Sequence, residues 1–442
     1  MSIENKKLKL SKATETIAQT VAYKNLQLFF DDGAFQEIDA FAMSDNTYAE
    51  VVAGYGMANG MPVFAFAQNS DICGGAMSKA QSAKLKKLYD LAIKTGTPVV
   101  GLYDSKGAKL AQGAEMLAGY GSLLNSASIL SGVVPQISVI LGNCLGTGAL
   151  NAISADFVIM AEKAKLAIET NGTGGTVEQA VKSGYVQLVA QNAKDAISKA
   201  KELLVYMPSN NLSMTPFAET AQPSNPVSTN VIESVFDMNS FMEISKDTET
   251  SVITGFARLD GAVVGTVITT GESIGCKGSQ KMAKMVRFCD AFAIPVITFA
   301  NSKGFEGIKG AKRVACSYAE ATTVKATIIT GEAYGPFYVA VAGTGANADI
   351  TMAYVESSIS PLAPITGATI MWADKMKVAV DKQAGVIEEY KSTECSAFKA
   401  AANGFVEDVI NPEDTREKLV NALDMLSGKR VTNLPKKHST IY

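Results

Sequence analysis

Two stretches of this 442-residue chain place glycines where a strand-like run ends. One is "ISVILGNCLGTGA", with Gly146, Thr147 and Gly148. The other is "ATIITGEAYGPF", with Gly335, Pro336 and Phe337. Gly74 and Gly75 stand in "CGGAMS" ahead of a helix-like segment, and Gly278 in "CKGSQ" reads as their counterpart further on. A glycine turn leading from a strand into a helix leaves backbone N–H groups without intrahelical acceptors. Two such groups, one from each turn, can converge on a single oxygen and stabilise an oxyanion, such as the enolate of a thioester, without a catalytic side chain. Close strand–helix packing is the competing use of the same glycines. Pro336 complicates the second turn, because proline has no N–H to offer.

Side-chain chemistry is sparse. The only histidine is His438, in the tail "LPKKHSTIY". A Ser-His-Asp triad, a Cys-His dyad or a histidine-bound metal would have to use it. Backbone donors, or a cofactor carried by another chain, are the natural alternatives. Lys79, Lys84, Lys86 and Lys87 fall on one predicted helix, with Lys106 and Lys109 after the next strand. Phosphate binding competes here with a simple solvated helix face. Lys109, just after Gly107 at a helix start, is the strongest phosphate candidate. Glu115 is the obvious carboxylate near the glycine turns.

These turns are positioned by a chain that contains itself twice. "FDDGAFQEI" recurs as "FDMNSFMEI", "GYGMANGMPV" as "GFARLDGAVV", "TPVVGLYDSKG" as "IPVITFANSKG", and the two glycine turns follow in the same order. Each copy opens with a hairpin, turning at Asn59-Gly60 and at Asp260-Gly261. Predicted helices over 79–94 and 281–292 then lead to a "PVV" or "PVI" strand, a second helix and another strand. Such alternation implies α/β layers with crossover connections. The segment Ser213 to Ser228, rich in Pro, Ser and Thr, reads as a linker between domains 1–212 and 229–442.

Hydrophobic residues make up 47% of the chain and charged residues 19%, which fits either an oligomer interface or two well-filled cores. The net charge of −3 and the absence of a long basic run argue against nucleic acid. "ILSGVVPQISVIL" is too short and too interrupted to span a membrane, and "MSIENKKLKLSK" lacks the apolar core of a signal peptide. Six cysteines with no C-x-x-C pair fit reduced thiols in a cytoplasmic protein.

"FFDDGAFQEIDAF", "DICGGAMS", "GLYDSKGAKLAQG", "GVVPQISVILGNCLGTGAL", "KMVRFCDAFAIPVITF", "ITGEAYGPFY" and "GFVEDVINPEDTREKL", in this order, resemble the carboxyltransferase subunits of biotin-dependent acyl-CoA carboxylases and decarboxylases. The likeness runs from about Leu26 onward. It implies a tandem pair of crotonase-like ββα-spiral domains, the first binding an acyl-CoA of the propionyl or methylmalonyl type and the second binding biotin. Halves of one site would come from different subunits of a dimer or a trimer of dimers. The base would be the ureido nitrogen of biotin rather than any side chain. Gly146 and Thr147 would hold the thioester enolate, and Gly335 to Phe337 the ureido oxygen. Gly74, Gly75, Gly107, Ala108, Lys109 and Pro336 would border the coenzyme A thioester and the biotin. No biotinyl attachment sequence or ATP-binding module is visible, so a biotin carrier protein would be a separate chain. A biotin carboxylase or a sodium-pumping decarboxylase subunit would be a further partner.

The chain also departs from the family pattern. Thr147 replaces a glycine, Lys106 and Lys109 stand where the family has glycine and arginine, and Pro336-Phe337 replaces glycine-alanine. The loops after Ala161 and after "SKGFEG" are shorter than the family's. A non-catalytic scaffold or regulatory subunit is the alternative that these departures suggest. A crotonase-type hydratase or isomerase would need a carboxylate pair, with Glu115 as one member.

Overall fold

The computed structural model describes residues 2–44, 47–48, 50–169, 174–343 and 347–431, so His438 lies outside the described residues. The chain divides into two units, Met1–Met214 and Thr215–Tyr442. In the first, helices α1 (Ile3–Ala18) and α2 (Val21–Phe29) precede β1 (Phe35–Glu37) and a small ribbon, β2 (Met43–Ser44) with β3 (Thr47–Tyr48). Then come β4 (Val51–Ala58), β5 (Met61–Gln68), α3 (Lys79–Thr95), β6 (Val99–Ser105), α4 (Glu115–Leu130), β7 (Gln136–Leu145) and α5 (Thr147–Ile153). β8 (Phe157–Ala161), β9 (Lys165–Ala167), α6 (Val177–Lys182), β10 (Leu188–Ala190) and α7 (Ala193–Leu204) complete it. The sheet runs β1-β4-β5-β6-β7-β8-β10, antiparallel through the hairpin and parallel beyond it, and β9 pairs with the far half of β7.

The second unit repeats this plan. Its elements are α8 (Val231–Ser234), β11 (Met242–Ile244), β12 (Val252–Leu259), β13 (Ala262–Thr269), α9 (Cys276–Ala291), β14 (Val296–Ser302), α10 (Ile308–Glu320), β15 (Lys325–Tyr334) and α11 (Gly335–Val341). β16 (Ile350–Tyr354), β17 (Ser358–Ser360), α12 (Pro364–Met371), α13 (Val380–Glu394), α14 (Ala397–Ala402), β18 (Asp408–Ile410) and α15 (Thr415–Leu426) follow. Its order is β11-β12-β13-β14-β15-β16-β18, with β17 on β15. The expected tandem α/β duplication is therefore present strand for strand.

Each repeated motif has a mechanical purpose. Asn59 and Gly60 take positive φ, as the twist of a tight hairpin requires. Asp31 locks that turn by accepting Asn59 N–H at 3.1 Å and Gly60 N–H at 2.9 Å. These bonds, the one from Gly60 first, hold its carboxyl below the usual range. Asp237 does the same for Asp260 N–H at 3.0 Å and Gly261 N–H at 2.8 Å. This is why "FD" begins both copies. A second device is a bulge, where β6 slips against β7 between Tyr103 and Ser105 and β14 slips against β15 between Ala300 and Ser302. Asp104 Oδ1 accepts Asn143 N–H at 2.9 Å across the first bulge, and Asn301 Oδ1 accepts Glu332 N–H at 2.9 Å across the second. A Cβ on Gly142 would stand 2.2 Å from Asp104 Oδ1, and one on Gly331 would stand 2.4 Å from Asn301 Oδ1. An amide serves as well as a carboxylate here, so the residue holds the strand rather than the chemistry.

The lysine helix behaves differently from a solvated face. Lys84 is buried, and its Nζ donates to Glu37 Oε1 at 2.8 Å and to Val51 O at 3.0 Å. Burial pulls its ammonium below the ordinary lysine value, opposed by Glu37. Its counterpart Lys281 donates to Val252 O at 2.7 Å and Glu249 O at 3.2 Å, and burial pulls it down to about 8. Below pH 8 the cost of keeping Lys281 charged is fully present. Between about pH 8 and the ordinary lysine range the unfolded chain binds more protons, so stability contributed by this group rises with pH. Lys281→Met should remove that rise from the thermal midpoint followed against pH; an unchanged slope would contradict the assignment.

Two element boundaries differ from the sequence expectation. α9 begins at Cys276, not near Lys281, so Gly278 is a buried residue inside the helix rather than part of a turn. A Cβ there would stand 3.1 Å from Ile274 Cγ2 and 3.2 Å from Val252 Cγ2, so this glycine serves packing. The segment Ser213 to Ser228 is fastened to the second unit. Phe217 pairs with Ala262, Arg258 Nη1 donates to Pro216 O at 3.3 Å, and Arg416 Nη2 donates to Ala221 O at 3.0 Å. Among the described residues no helix is long and apolar enough to cross a membrane.

Candidate active site

β7 leaves its bulge, pairs with β9 and ends at Leu145. Gly146 then adopts φ 63° and ψ −137°, a combination that strongly favours glycine. Its own N–H donates to Ala167 O at 2.9 Å, so Gly146 supplies the bend and its donor is already used. Thr147 and Gly148 open α5, where N–H groups have no intrahelical acceptor. Thr147 is exposed and Gly148 is buried.

Gly74 and Gly75 sit in a one-turn helix, Cys73–Gly75, with φ positive at all three residues. Gly75 N–H donates to Ile72 O at 2.9 Å, and Gly74 O accepts Lys106 N–H at 3.0 Å. A Cβ on Gly75 would stand 2.0 Å from Asp104 O, so the turn rests on the bulge of β6. Gly75→Ala should therefore destabilise by about 2–4 kcal/mol from clash and positive φ together. A thermal midpoint equal to that of the unaltered protein would contradict this. Gly107, at φ 114°, accepts Met77 N–H at 2.8 Å, and Ala108 bridges to Met77. Gly107 also faces Leu145 O, to which a Cβ would lie 3.6 Å away. The structure thus gathers Gly74, Gly75, Gly107, Ala108, Gly146 and Thr147 around the end of β7.

The second unit builds the same junction with different residues. β15 ends at Tyr334, and Gly335 turns at φ 44°, where a Cβ would stand 2.7 Å from Pro361 O. Gly335 occupies the place of Gly146, Pro336 that of Thr147, and Phe337 that of Gly148. Pro336 is exposed and Phe337 is fully buried, its ring edge-on to Phe305 at 5.8 Å. The counterpart of the Gly74 turn lies at Gly271, whose N–H donates to Asn301 O at 2.8 Å, and not at Gly278.

A carboxyl transferase domain model matches residues 17–441. The chain belongs to the carboxyl transferase family. It is 33% identical over 478 residues to the methylmalonyl-CoA decarboxylase subunit alpha of Propionigenium modestum, covering 95% of this chain and 92% of that one. It is 32% identical over 477 residues to the methylmalonyl-CoA carboxyltransferase 12S subunit of Propionibacterium freudenreichii subsp. shermanii, covering 94% and 90%. The crystal structure of transcarboxylase 12S, a hexamer with methylmalonyl-coenzyme A and methylmalonic acid bound, superposes with a TM-score of 0.93 at 29% identity over 100% of this chain and 99% of that one. The expected tandem crotonase-like fold stands.

In this carboxyl transferase Lys106 is exposed and lays its side chain over Gly74, whereas the other titratable candidates near the first turn are engaged elsewhere. Lys109 is nearly buried, and its Nζ donates to Glu50 Oε1 at 2.7 Å and Ser44 Oγ at 3.2 Å. Glu50 also accepts the Ser78 hydroxyl. The charge expected at a phosphate is balanced inside the protein, where it ties the β2–β3 ribbon to the turn. Lys79 pairs with Glu115 at 3.1 Å in solvent, Lys86 with Asp90 at 2.6 Å and Lys87 with Asp39 at 2.6 Å, so these lysines do not converge. Glu115 is a surface partner and not half of a carboxylate pair. Cys144, one residue before the end of β7, is fully buried, which raises its thiol far above the ordinary value and leaves it inert. Phe305, which takes the place of Ala108, was missed by sequence reasoning, although "SKGF" against "SKGA" carried the signal.

Proposed function

We propose that this carboxyl transferase moves a carboxyl group between biotin on a separate carrier protein and the α-carbon of a short acyl-CoA of the propionyl or methylmalonyl type. One observation carries the reading: the same bulge-fed glycine turn is built twice, and the side chain at each bulge, Asp104 or Asn301, is consumed in holding it. The first unit takes the thioester. The Thr147 N–H stabilises the enolate oxygen, with the buried Gly148 N–H behind it. Gly146 aims the turn, Gly74, Gly75, Gly107 and Ala108 border the thioester, and Lys109 fixes the border. Biotin, when docked, supplies the carboxyl group and a ureido nitrogen that can take the α-proton.

The second unit suits a ureido oxygen less well than the first suits an enolate. Its exposed position carries Pro336 instead of a donor, and Phe337 lies fully buried behind it. Gly335 and Phe337 shape the turn and offer what backbone donation remains. This favours, as a second reading, a scaffold subunit that keeps the fold without turnover. Pro336→Gly tests the role of the proline, because it returns an N–H to the exposed position. Biotin-dependent turnover equal to or above that of the unaltered protein is expected, and a large loss would show that the site needs the fixed φ of proline.

The carboxyl transferase works in the cytoplasm as a homo-oligomer, with a biotin carboxylase or a sodium-pumping decarboxylase subunit as further partner. Supporting this are the hexamer of transcarboxylase 12S and exposed apolar residues on α12, among them Ile365, Ile370 and Met371. All six cysteines are free thiols. The deciding experiment incubates methylmalonyl-CoA with the protein and a biotinylated carrier. Loss of the carboxyl group that requires the biotin supports the reading. Thioester binding without biotin-dependent turnover supports the scaffold instead.

A further inference from the structure

Lys106 carries a charge at the first glycine turn that no side chain matches. It is exposed, and its ammonium makes no ion pair or side-chain hydrogen bond among the described residues. The backbone fixes where this lysine starts. Its N–H donates to Gly74 O at 3.0 Å, and its stem lies along Gly74, where a Cβ would stand 2.9 Å from Lys106 Cδ and 3.4 Å from its Cγ and Cε. Gly74 therefore leaves the room in which the stem is laid down. A lysine resting on its methylenes keeps its ammonium in water, open to an anion.

The second unit shows a matched lysine at the same place. Met77 bridges to Ala108 as Ile274 bridges to Phe305, which aligns Lys106 with Lys303, Gly74 with Gly271 and Gly75 with Glu272. Lys303 Nζ pairs with Glu272 Oε2 at 3.1 Å. In the first unit that carboxylate is replaced by Gly75, where a Cβ would stand 2.0 Å from Asp104 O. The same "SKG" thus carries a neutralised lysine in one unit and an open cation in the other. Both side chains of the Lys303 pair are exposed, so the difference is one of charge on offer more than of folding stability.

The open cation stands beside the thioester turn. Ser105 pairs with Cys144 across β6 and β7, and a Cβ on Gly107 would lie 3.6 Å from Leu145 O. Lys106 directly follows Ser105, and Thr147 comes two residues after Leu145, so the two leave neighbouring strand ends. Neighbouring strands lie about 4.8 Å apart, a span that the flexible stem of a lysine covers. In a thioester whose oxygen is held at Thr147, the α-carbon and its substituents are the next atoms along. We infer that Lys106 binds the α-carboxylate of a malonyl-type acyl-CoA, and that it makes the first unit select a carboxylated thioester over the same thioester without its carboxyl group. The inference rests on the acyl-CoA reading and names the charge that tells the two forms of the substrate apart.

The test is calorimetric binding to the full chain, without biotin, of methylmalonyl-CoA and propionyl-CoA, which differ only in the carboxylate. The unaltered protein should bind methylmalonyl-CoA more tightly. Lys106→Met keeps the stem and removes the charge. In this variant the Kd for methylmalonyl-CoA should rise about tenfold, the worth of one charge-assisted hydrogen bond, while the Kd for propionyl-CoA stays unchanged. Lys106→Arg should keep most of the preference. An equal rise in Kd for both ligands would place Lys106 on a part they share and overturn the inference, and so would no change in either. An unaltered protein that binds the two thioesters equally overturns the carboxylate assignment and leaves the acyl-CoA reading intact. Failure to bind either thioester would overturn both.

Discussion

Thr147→Pro should lower the biotin-dependent turnover of methylmalonyl-CoA by about 10²–10³-fold while leaving the protein folded, which is the loss typical of one missing oxyanion donor. The substitution copies into the first unit what Pro336 already does in the second. Proline is tolerated in the first turn of a helix, and Gly146 at ψ −137° lies outside the α region that a following proline disfavours. The helix therefore keeps its packing and loses one N–H. The loss should fall on kcat more than on KM, because the donor acts on charge that develops only in the enolate. Thr147→Gly, which keeps the N–H, should retain activity. If Thr147→Pro were as active as the unaltered protein, Thr147 would not be the donor.

Glu50→Ala should destabilise the protein by about 3–5 kcal/mol, because Lys109 would be left charged and buried without its partner. The fall in thermal midpoint is the readout. The paired change Glu50→Gln/Lys109→Met should recover most of that loss, since an apolar and a neutral group can replace a buried pair at little cost. KM for the acyl-CoA in this double variant should remain within about twofold of the unaltered value. A tenfold rise in KM would return Lys109 to the phosphate role its sequence position suggested.

How much of this was legible in the sequence depends on whether the cause left the same residue in both copies. The duplication was legible because Asp31 and Asp237 each cap the hairpin of their own copy, and the "FD" repeat records that shared need. Both glycine turns were legible for the same reason: Gly142 and Gly331 mark the bulge that feeds each one. The fate of the donors was not. That Gly146 N–H is spent on Ala167 O depends on β9, a three-residue strand beyond the next helix and strand, and no pattern near Gly146 announces it. Lys84 looked like its neighbours Lys86 and Lys87, because helical spacing fixes which residues share a face but not which face the sheet covers. Gly278 was matched to the wrong turn because "CKGSQ" imitates "CGGAMS", whereas α9 starts earlier and its counterpart turn lies at Gly271. The alignment of Pro336 with Thr147 follows from the repeat itself, whereas the burial of Phe337 behind it needed the structure.

In the proposed reaction the enolate is held by backbone groups, and no side chain of this chain removes the α-proton. Solvent deuterium exchange at the α-carbon of propionyl-CoA measures this directly. With the protein alone in D2O the α-protons should be retained, and exchange should require the biotinylated carrier. Deuterium entering propionyl-CoA in the presence of the protein alone would overturn the proposed function and reveal a base on the protein itself, as a hydratase or isomerase would need.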